Sequence, residues 1–510
     1  MNTTAYTGAL RNALAKPIPW IAFGLYLAVV IYTMAHHELR YDEVNAWNIA
    51  KASPSFSDLV TNTRFEGHPP VWFTILWLIT KCTQDLAYIQ VVHILLAALV
   101  VFIVLFFAPF PLITRLLIPF GYYFLFEYAI FSRNYAPAVL AAFCLCLIIR
   151  KQFRYQALLY YGLLLLMTNV HLLVIPLAVG LHLYFLLLLM ERQQKITTVA
   201  LHALLGVLIC IPALCFIAPP HDSQVNLFAA LGKLAPQRLT SFAEAPIRSF
   251  IPVPAWWNYH FWNTQIFLDA QNEHRLLKPF NLLLSVIITM CAFYLLKGNR
   301  KCLVLFAATF LLSFIIALVV IPLNTERYAG FIFMGFMAAW WLYCYEASPS
   351  PPGNRLVNGL LIIQLAGGIF AVSKDICLPF SNLYRMNELV NEVPGNKKVV
   401  CDYWSLNAAK AYAHKPLYCI DLQKQASLIL WDNNVDAMLK KPHRYYEGVR
   451  VFFQEEGIKE TYLVSTATPQ SLYEADSLFT QSYHVALVDK REGAIEAWSN
   501  LYLYSIKEKE

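Results

Sequence analysis

The chain has 510 residues, of which 58% are hydrophobic, 15% aromatic and 14% charged, with a net charge of +7. Soluble globular domains carry about a quarter charged residues, so one large soluble core is excluded; a mean hydropathy of +0.50 calls for a multi-pass α-helical membrane protein seated in a lipid bilayer. The modest positive charge suits loops anchored at a membrane surface, and no basic cluster with interleaved aromatics lies outside the apolar runs, which argues against a nucleic-acid partner.

Arg11 and Lys16 precede a first apolar run at 18–35. A polar, aromatic-rich segment follows it instead of a small-residue cleavage site, so the run reads as an uncleaved span with its N-terminus in the cytoplasm. Within the next segment, 36–85, Val44 to Val60 mixes apolar and polar residues in the manner of an interfacial helix. His68-Pro69-Pro70 breaks the chain, and Val71 to Thr80 is too short to cross comfortably, which predicts a helix lying at the outer surface. Further apolar runs fall at 86–107, 116–131, 135–149, 156–170, 172–190, 199–218, 277–296, 302–322, 328–346 and 356–373, giving about eleven helices in all. An inside N-terminus puts Arg115, Arg150, Lys151, Arg192, Lys301 and Arg355 in inside turns, as the bias of Lys and Arg requires. Four segments are then extracytoplasmic: 36–85, the turn Ser132-Arg133-Asn134, a long loop at 219–276, and everything after about 377.

From Leu378 charge rises and apolar runs shorten. Lys397 to Cys401, Tyr418 to Leu422 and Glu460 to Ser465 read as strands, with helices at Ser405 to Ala413 and over most of Val435 to Glu456. Tyr483 to Val488 and Trp498 to Ser505 add further strands. The alternation predicts a C-terminal soluble α/β domain at 377–510, after a transmembrane domain at 1–376. The eleven cysteines are scattered, mostly in apolar runs, and no CxxC spacing supports zinc or redox chemistry. An oxidising compartment would allow Cys401 and Cys419 to pair.

Asp42-Glu43, a few residues past the first span, is the most informative feature. Carboxylates beside a bilayer cost free energy unless they have a task, and an acidic pair suits a general base, a metal ligand or both. The predicted topology brings other polar residues to the same face. His68 opens the second surface helix; Glu127, Arg133 and Tyr135 mark the outer ends of two spans; His171 lies at an outer turn. His221, Asp222 and His260 sit in the long loop, the last within the aromatic cluster Trp256, Trp257, Tyr259 and Trp262. Glu326, Arg327 and Tyr328 follow another span. Arginines, imidazoles and carboxylates together suit an anionic phosphate substrate with a base nearby. His36 and His37 read as interfacial residues with little to do.

The motifs Tyr41-Asp42-Glu43-Val44-Asn45-Ala46-Trp47, Arg64-Phe65-Glu66-Gly67-His68-Pro69-Pro70-Val71-Trp72, Ser132-Arg133-Asn134-Tyr135-Ala136 and Glu326-Arg327-Tyr328 resemble the GT-C glycosyltransferases. Among them the similarity is to bacterial relatives of the protein O-mannosyltransferases and the lipid A aminoarabinose transferase, over roughly residues 18–375. The resemblance implies an inverting membrane glycosyltransferase of the cell inner membrane. Its donor would be a polyprenyl-phosphate sugar and its acceptor a hydroxyl of lipid A, a glycan or a protein, on the extracytoplasmic face. Asp42 matches the candidate catalytic aspartate, with Glu43 orienting it or helping to hold a cation. His68, Glu127, Arg133, Tyr135, His171, His260, Arg327 and Tyr328 are the matching candidates for substrate binding. The family often has Lys where His68 stands, so Arg133 and Arg327 would hold more of the phosphate charge. Some members use a divalent cation and others do not; the sequence leaves both open. An O-antigen polymerase or ligase is the rival enzyme, though the acidic pair after span one and the soluble C-terminal domain fit it poorly. A lipid-linked sugar transporter would show an internal repeat or charged, broken midplane helices, and neither stands out.

Overall fold

A computed structural model describes residues 16–218, 220, 236–274, 276–346, 353–431 and 433–510; His221 and Asp222 lie outside the described residues. Among the described residues eight helices are long and apolar enough to cross a membrane, and the chain is a membrane protein. They are α1 (Pro17–Met34), α5 (Tyr88–Phe107), α9 (Ile175–Glu191, with a 3-10 turn before it), α10 (Ile196–Ile217), α13 (Leu277–Leu296), α14 (Arg300–Val319), α15 (Glu326–Glu346) and α16 (Asn354–Cys377). Each corresponds to an apolar run in the sequence. On α10 only Val199, Gly206 and Ala213 are buried, so most of its apolar surface is turned outward, as a lipid-facing helix requires. By contrast α15 is buried along nearly its whole length and forms the centre of the bundle.

The remaining three expected spans differ. The run at 116–131 is not one helix: α6 (Leu112–Leu117) gives way to a 3-10 turn through Pro119 and then a π-helical turn at Tyr123–Glu127. Pro119 lacks the N–H that would continue the ladder, and Gly121 fits where a Cβ would press on Gln364 of α16. The runs at 135–149 and 156–170 form α7 (Tyr135–Ile148) and α8 (Gln156–Thr168), 14 and 13 residues long.

Between α1 and α5 lie α2 (Tyr41–Ala52), α3 (Phe56–Thr63) and α4 (Val71–Thr80). The single interfacial helix expected over Val44–Val60 is thus two, divided at Ser53-Pro54. Gln90 of α5 donates to the carbonyls of Met34 (3.2 Å) and His37 (3.0 Å). α5 therefore starts at the end of the bundle where α1 stops, and α4 lies at that end without crossing. At the opposite end Arg150 pairs with Glu346, and Lys301 with Glu191 and Glu346.

After α16 the chain builds a six-stranded sheet in the order β3-β2-β1-β4-β6-β5, from β1 (Val399–Cys401), β2 (Tyr418–Cys419), β3 (Lys424–Gln425), β4 (Glu460–Ser465), β5 (Tyr483–Arg491) and β6 (Leu501–Glu508). β1 runs parallel to both β2 and β4, and the other pairings are antiparallel. The helix expected over most of Val435–Glu456 is broken at Pro442-His443, where His443 is left-handed. Cys401 and Cys419 are register partners on β1 and β2 but are free, buried thiols. The sheet region docks on the bundle through α17 (Leu406–Tyr412): Asn407 donates to the Tyr41 carbonyl (3.4 Å), and Asn48 donates to the Asn407 carbonyl (3.1 Å).

Candidate functional site

Helix α2 begins with Arg40 as its N-cap, which places Asp42 and Glu43 in its first turn, where the helix dipole favours negative charge. Neighbours in sequence, the two carboxylates point to different surroundings. Asp42 is about one-third exposed, and its Oδ2 lies 2.6 Å from Arg40 Nη1 and 3.9 Å from Arg327 Nη1. Arg133 Nη1 donates to the Asp42 carbonyl at 2.7 Å. Burial alone would raise the Asp42 carboxyl; the guanidiniums of Arg40, Arg133 and Arg327 outweigh it and hold it well below the usual carboxylate range.

Glu43 is fully buried and both of its oxygens are used. Oε1 accepts the Ser132 N–H at 2.5 Å, and Oε2 accepts the Arg40 N–H at 3.0 Å. His37 Nε2 lies 3.4 Å from Oε2, while its Nδ1 bonds Asp375 of α16 at 3.0 and 3.1 Å. Burial would lower the His37 pKa, but the Asp375 and Glu43 carboxylates overcome it and push it up to about 10. A charged, buried Glu43–His37–Asp375 chain thus ties the start of α2 to the last long helix. The expectation that His37 faces the interface is corrected: it is enclosed between two carboxylates. Glu43 faces away from Asp42, and its work is to hold the start of α2 and the Ser132-Arg133-Asn134 turn together.

That turn carries Arg133 to the Asp42 backbone. His93 of α5 lies against it, its Nδ1 3.0 Å from the Ala129 carbonyl and its Nε2 3.2 Å from the Arg133 carbonyl, and its one N–H donates to one of the two. Arg327, at the start of α15, is positioned by Tyr128, whose hydroxyl donates to the Arg327 carbonyl at 2.8 Å. Gly330 makes room for the Tyr123 and Tyr128 rings; a Cβ there would collide with both. The Arg327 guanidinium lies over the rings of Tyr328 (4.9 Å) and Trp262 (5.1 Å), and Arg40 lies over the same Trp262 at 4.5 Å. Trp262 is therefore shared by two arginines. Glu127 lies on the far side of it, its Oε2 accepting from Tyr122 (3.0 Å) and Trp262 Nε1 (3.4 Å). Glu326 pairs with Arg248 at 2.7 Å, outside the Asp42 group.

His68 and His171 stack with ring centroids 4.6 Å apart, and Tyr135 lies 5.4 Å from His171. Burial, and after it Arg133, pushes His68 down to about 3, so it is neutral. Glu66 accepts from Asn45 (3.1 Å), and burial pushes its carboxyl up to about 7. His260 is placed elsewhere: it is exposed, and its Nδ1–H donates to the Ile495 carbonyl at 2.9 Å, so it joins the long segment to the sheet region.

Polar atoms buried without partners gather around this group. They include His68 Nδ1, His171 Nε2, Arg327 Nε, Arg40 Nη2, Asn45 Oδ1 and Tyr41 Oη. Buried polar groups are ordinarily satisfied by protein or water, and this concentration of orphans makes the group around Asp42 the candidate ligand site. The arginine and imidazole nitrogens among them are donors suited to an anion. Among the described residues no three His, Cys, Asp or Glu side chains come together in a way that could hold a metal ion. The donor set fits a cation poorly, since the partly exposed Asp42 carboxylate has the guanidiniums of Arg40, Arg133 and Arg327 around it.

Sequence reading overlooked Arg40, although it adjoins Asp42, and also His37, Asp375 and Trp262 in their present roles. Only Arg40 carried a local signal, a basic residue just before the acidic pair. No protein-family model and no curated protein matches this chain.

Proposed function

We propose that the chain is a GT-C-type integral-membrane glycosyltransferase. It would move a sugar from a polyprenyl-phosphate donor to an acceptor hydroxyl, with inversion at the anomeric carbon. The observation that carries this reading is the exposed edge of Asp42 set among Arg40, Arg133 and Arg327, with unpartnered donors around it. The donor phosphate would lie between Arg133 and Arg327, with neutral His68 and His171 donating N–H groups at its edge. An anion there competes with Asp42 for Arg327 and so raises the basicity of the carboxylate.

Asp42 then takes the proton of the acceptor hydroxyl. The acceptor oxygen forms its bond to C1 of the sugar while the C1–O bond to phosphate breaks, and polyprenyl phosphate leaves with that electron pair. Its charge is held by the guanidiniums, so no separate general acid is required. No step runs through a cation. The Asp42 group lies at helix ends, at the starts of α2 and α15, where a lipid donor would enter sideways from the bilayer. The opposite end carries Arg115, Arg150, Arg192 and Lys301, which favours an extracytoplasmic position for the Asp42 group under the positive-inside rule.

The test is transfer from a panel of radiolabelled polyprenyl-phosphate sugars by membranes carrying wild type or Asp42→Ala. Label reaching an acceptor with wild type alone supports the reading and names the sugar. Equal transfer by both, or none from any donor, contradicts it.

A further inference from the structure

Beside Asp42 the sheet region contributes a set of aromatic rings that the transfer step does not use. Trp498 is 52% exposed and lies on Tyr41, with centroids 5.9 Å apart and planes at 29°. Trp404 lies 6.4 Å from Tyr41 on another side and 5.9 Å from Trp431. The Arg40 guanidinium, 2.6 Å from Asp42 through Nη1, is 5.8 Å from the Trp498 ring. Arg40 Nη2 and Tyr41 Oη are both buried without partners. Asn407 of α17, three residues past Trp404, bonds the Tyr41 carbonyl, and Arg40 Nε donates to Glu496, two residues before Trp498, at 2.8 Å. These bonds fix the rings relative to Asp42.

A half-exposed Trp498 beside a partly buried Trp404 and a buried Tyr41, bordered by orphaned donors, matches one kind of ligand well. A sugar ring offers an apolar C–H face for stacking and a rim of hydroxyls for the donors. An acyl chain would leave the donors unpaired, and a peptide hydroxyl has no flat face to cover Trp498. We propose that Trp498, Tyr41 and Trp404 form the acceptor subsite and that the acceptor is a carbohydrate. It stacks on Trp498, is bonded by Tyr41 Oη and Arg40 Nη2, and presents one hydroxyl to Asp42. This rests on the transferase reading and narrows it to glycan acceptors. The sheet region is then part of the site, which is incomplete without it.

The probe is saturation-transfer NMR of the full chain in lipid nanodiscs with chitobiose, maltotriose and mannotriose. Wild type should saturate the ring protons of at least one sugar. Trp498→Ala should weaken its binding about tenfold, Trp498→Phe should restore most of it, and Trp256→Ala should change nothing. Trp256 is an exposed ring outside the platform. A second arm adds monoglucosyl-diacylglycerol to the nanodiscs: displacement of the soluble sugar assigns the platform to a lipid-borne headgroup, and no displacement assigns it to a free glycan. No saturation of any sugar by wild type, or equal saturation by wild type and Trp498→Ala, overturns the proposal. Sugar binding with no transfer from any donor would keep the platform and remove the transferase reading; transfer without sugar binding would do the reverse.

Discussion

Two aspartates, Asp402 buried and Asp42 about one-third exposed, show how differently the sheet region and the bundle treat a carboxylate. Asp402, just past β1, accepts from the Ser405 N–H (2.9 Å), the Ser405 hydroxyl (2.6 Å), the Ser465 hydroxyl (2.5 Å) and the Tyr445 hydroxyl (3.3 Å). It is closed off at the C-terminal ends of two parallel strands, a place where α/β sheets often bind ligands, yet its surroundings leave nothing to bind. Asp42 has cations instead of hydroxyls, an open edge, and unpaired donors on several sides. A saturated network rigidifies a fold, whereas an unsaturated one awaits a partner. Asp402 thus serves the fold, and in the proposed transferase Asp42 is the group left free to react.

The sharpest way to break that comparison is to exchange the two effects. Asp42→Asn keeps the shape and the helix-start position but removes the base, so transfer should fall about 10²–10⁴-fold with thermal unfolding nearly unchanged. A large loss of stability would instead place Asp42 with Asp402. Asp402→Ala strands an N–H and three hydroxyls, and should lower stability by roughly 3 kcal/mol, read by denaturant unfolding. Transfer per folded molecule should stay near wild type. Arg327→Ala should raise the KM for donor roughly 10–100-fold through the lost charged contact, and Arg327→Lys should not restore it, because a point charge does not reproduce the guanidinium fork.

A smaller effect sharpens the role of the Glu43–His37–Asp375 chain. His37 titrates at about 10 in the folded chain and near 6.5 in an unfolded one. Because the folded value is raised, the stabilisation is complete below about pH 6.5 and is lost as pH rises through about 10. The melting temperature of wild type should therefore decline over that window, while His37→Gln should be less stable at the acidic end and flatter across it. Parallel curves for the two proteins would show that the buried chain does not titrate.

Most of the long helices were legible because bilayer thickness imposes a run length that hydropathy detects directly. The break between Leu117 and Tyr123 was hidden inside an apolar run, since Pro119 and Gly121 act on backbone geometry and close packing while the composition stays apolar. Asp42, Arg133 and Arg327 were legible as an outward-facing set and do converge. The split between Asp42 and Glu43 was not, because it depends on Ser132, 89 residues away, and on Asp375, 338 residues from His37. Likewise nothing local ties Arg40 to Glu496, 456 residues on. Such contacts are set by how the helices pack, which periodicity does not report.

The central claim is that the guanidiniums around Asp42 hold a lipid phosphate. The most direct measurement is native mass spectrometry of purified protein incubated with polyprenyl phosphate, comparing wild type with the Arg133→Ala, Arg327→Ala double variant. The account predicts a retained lipid adduct for wild type and its loss in the double variant, with the folded mass and charge-state distribution otherwise alike. Equal adduct occupancy in the two proteins would contradict it.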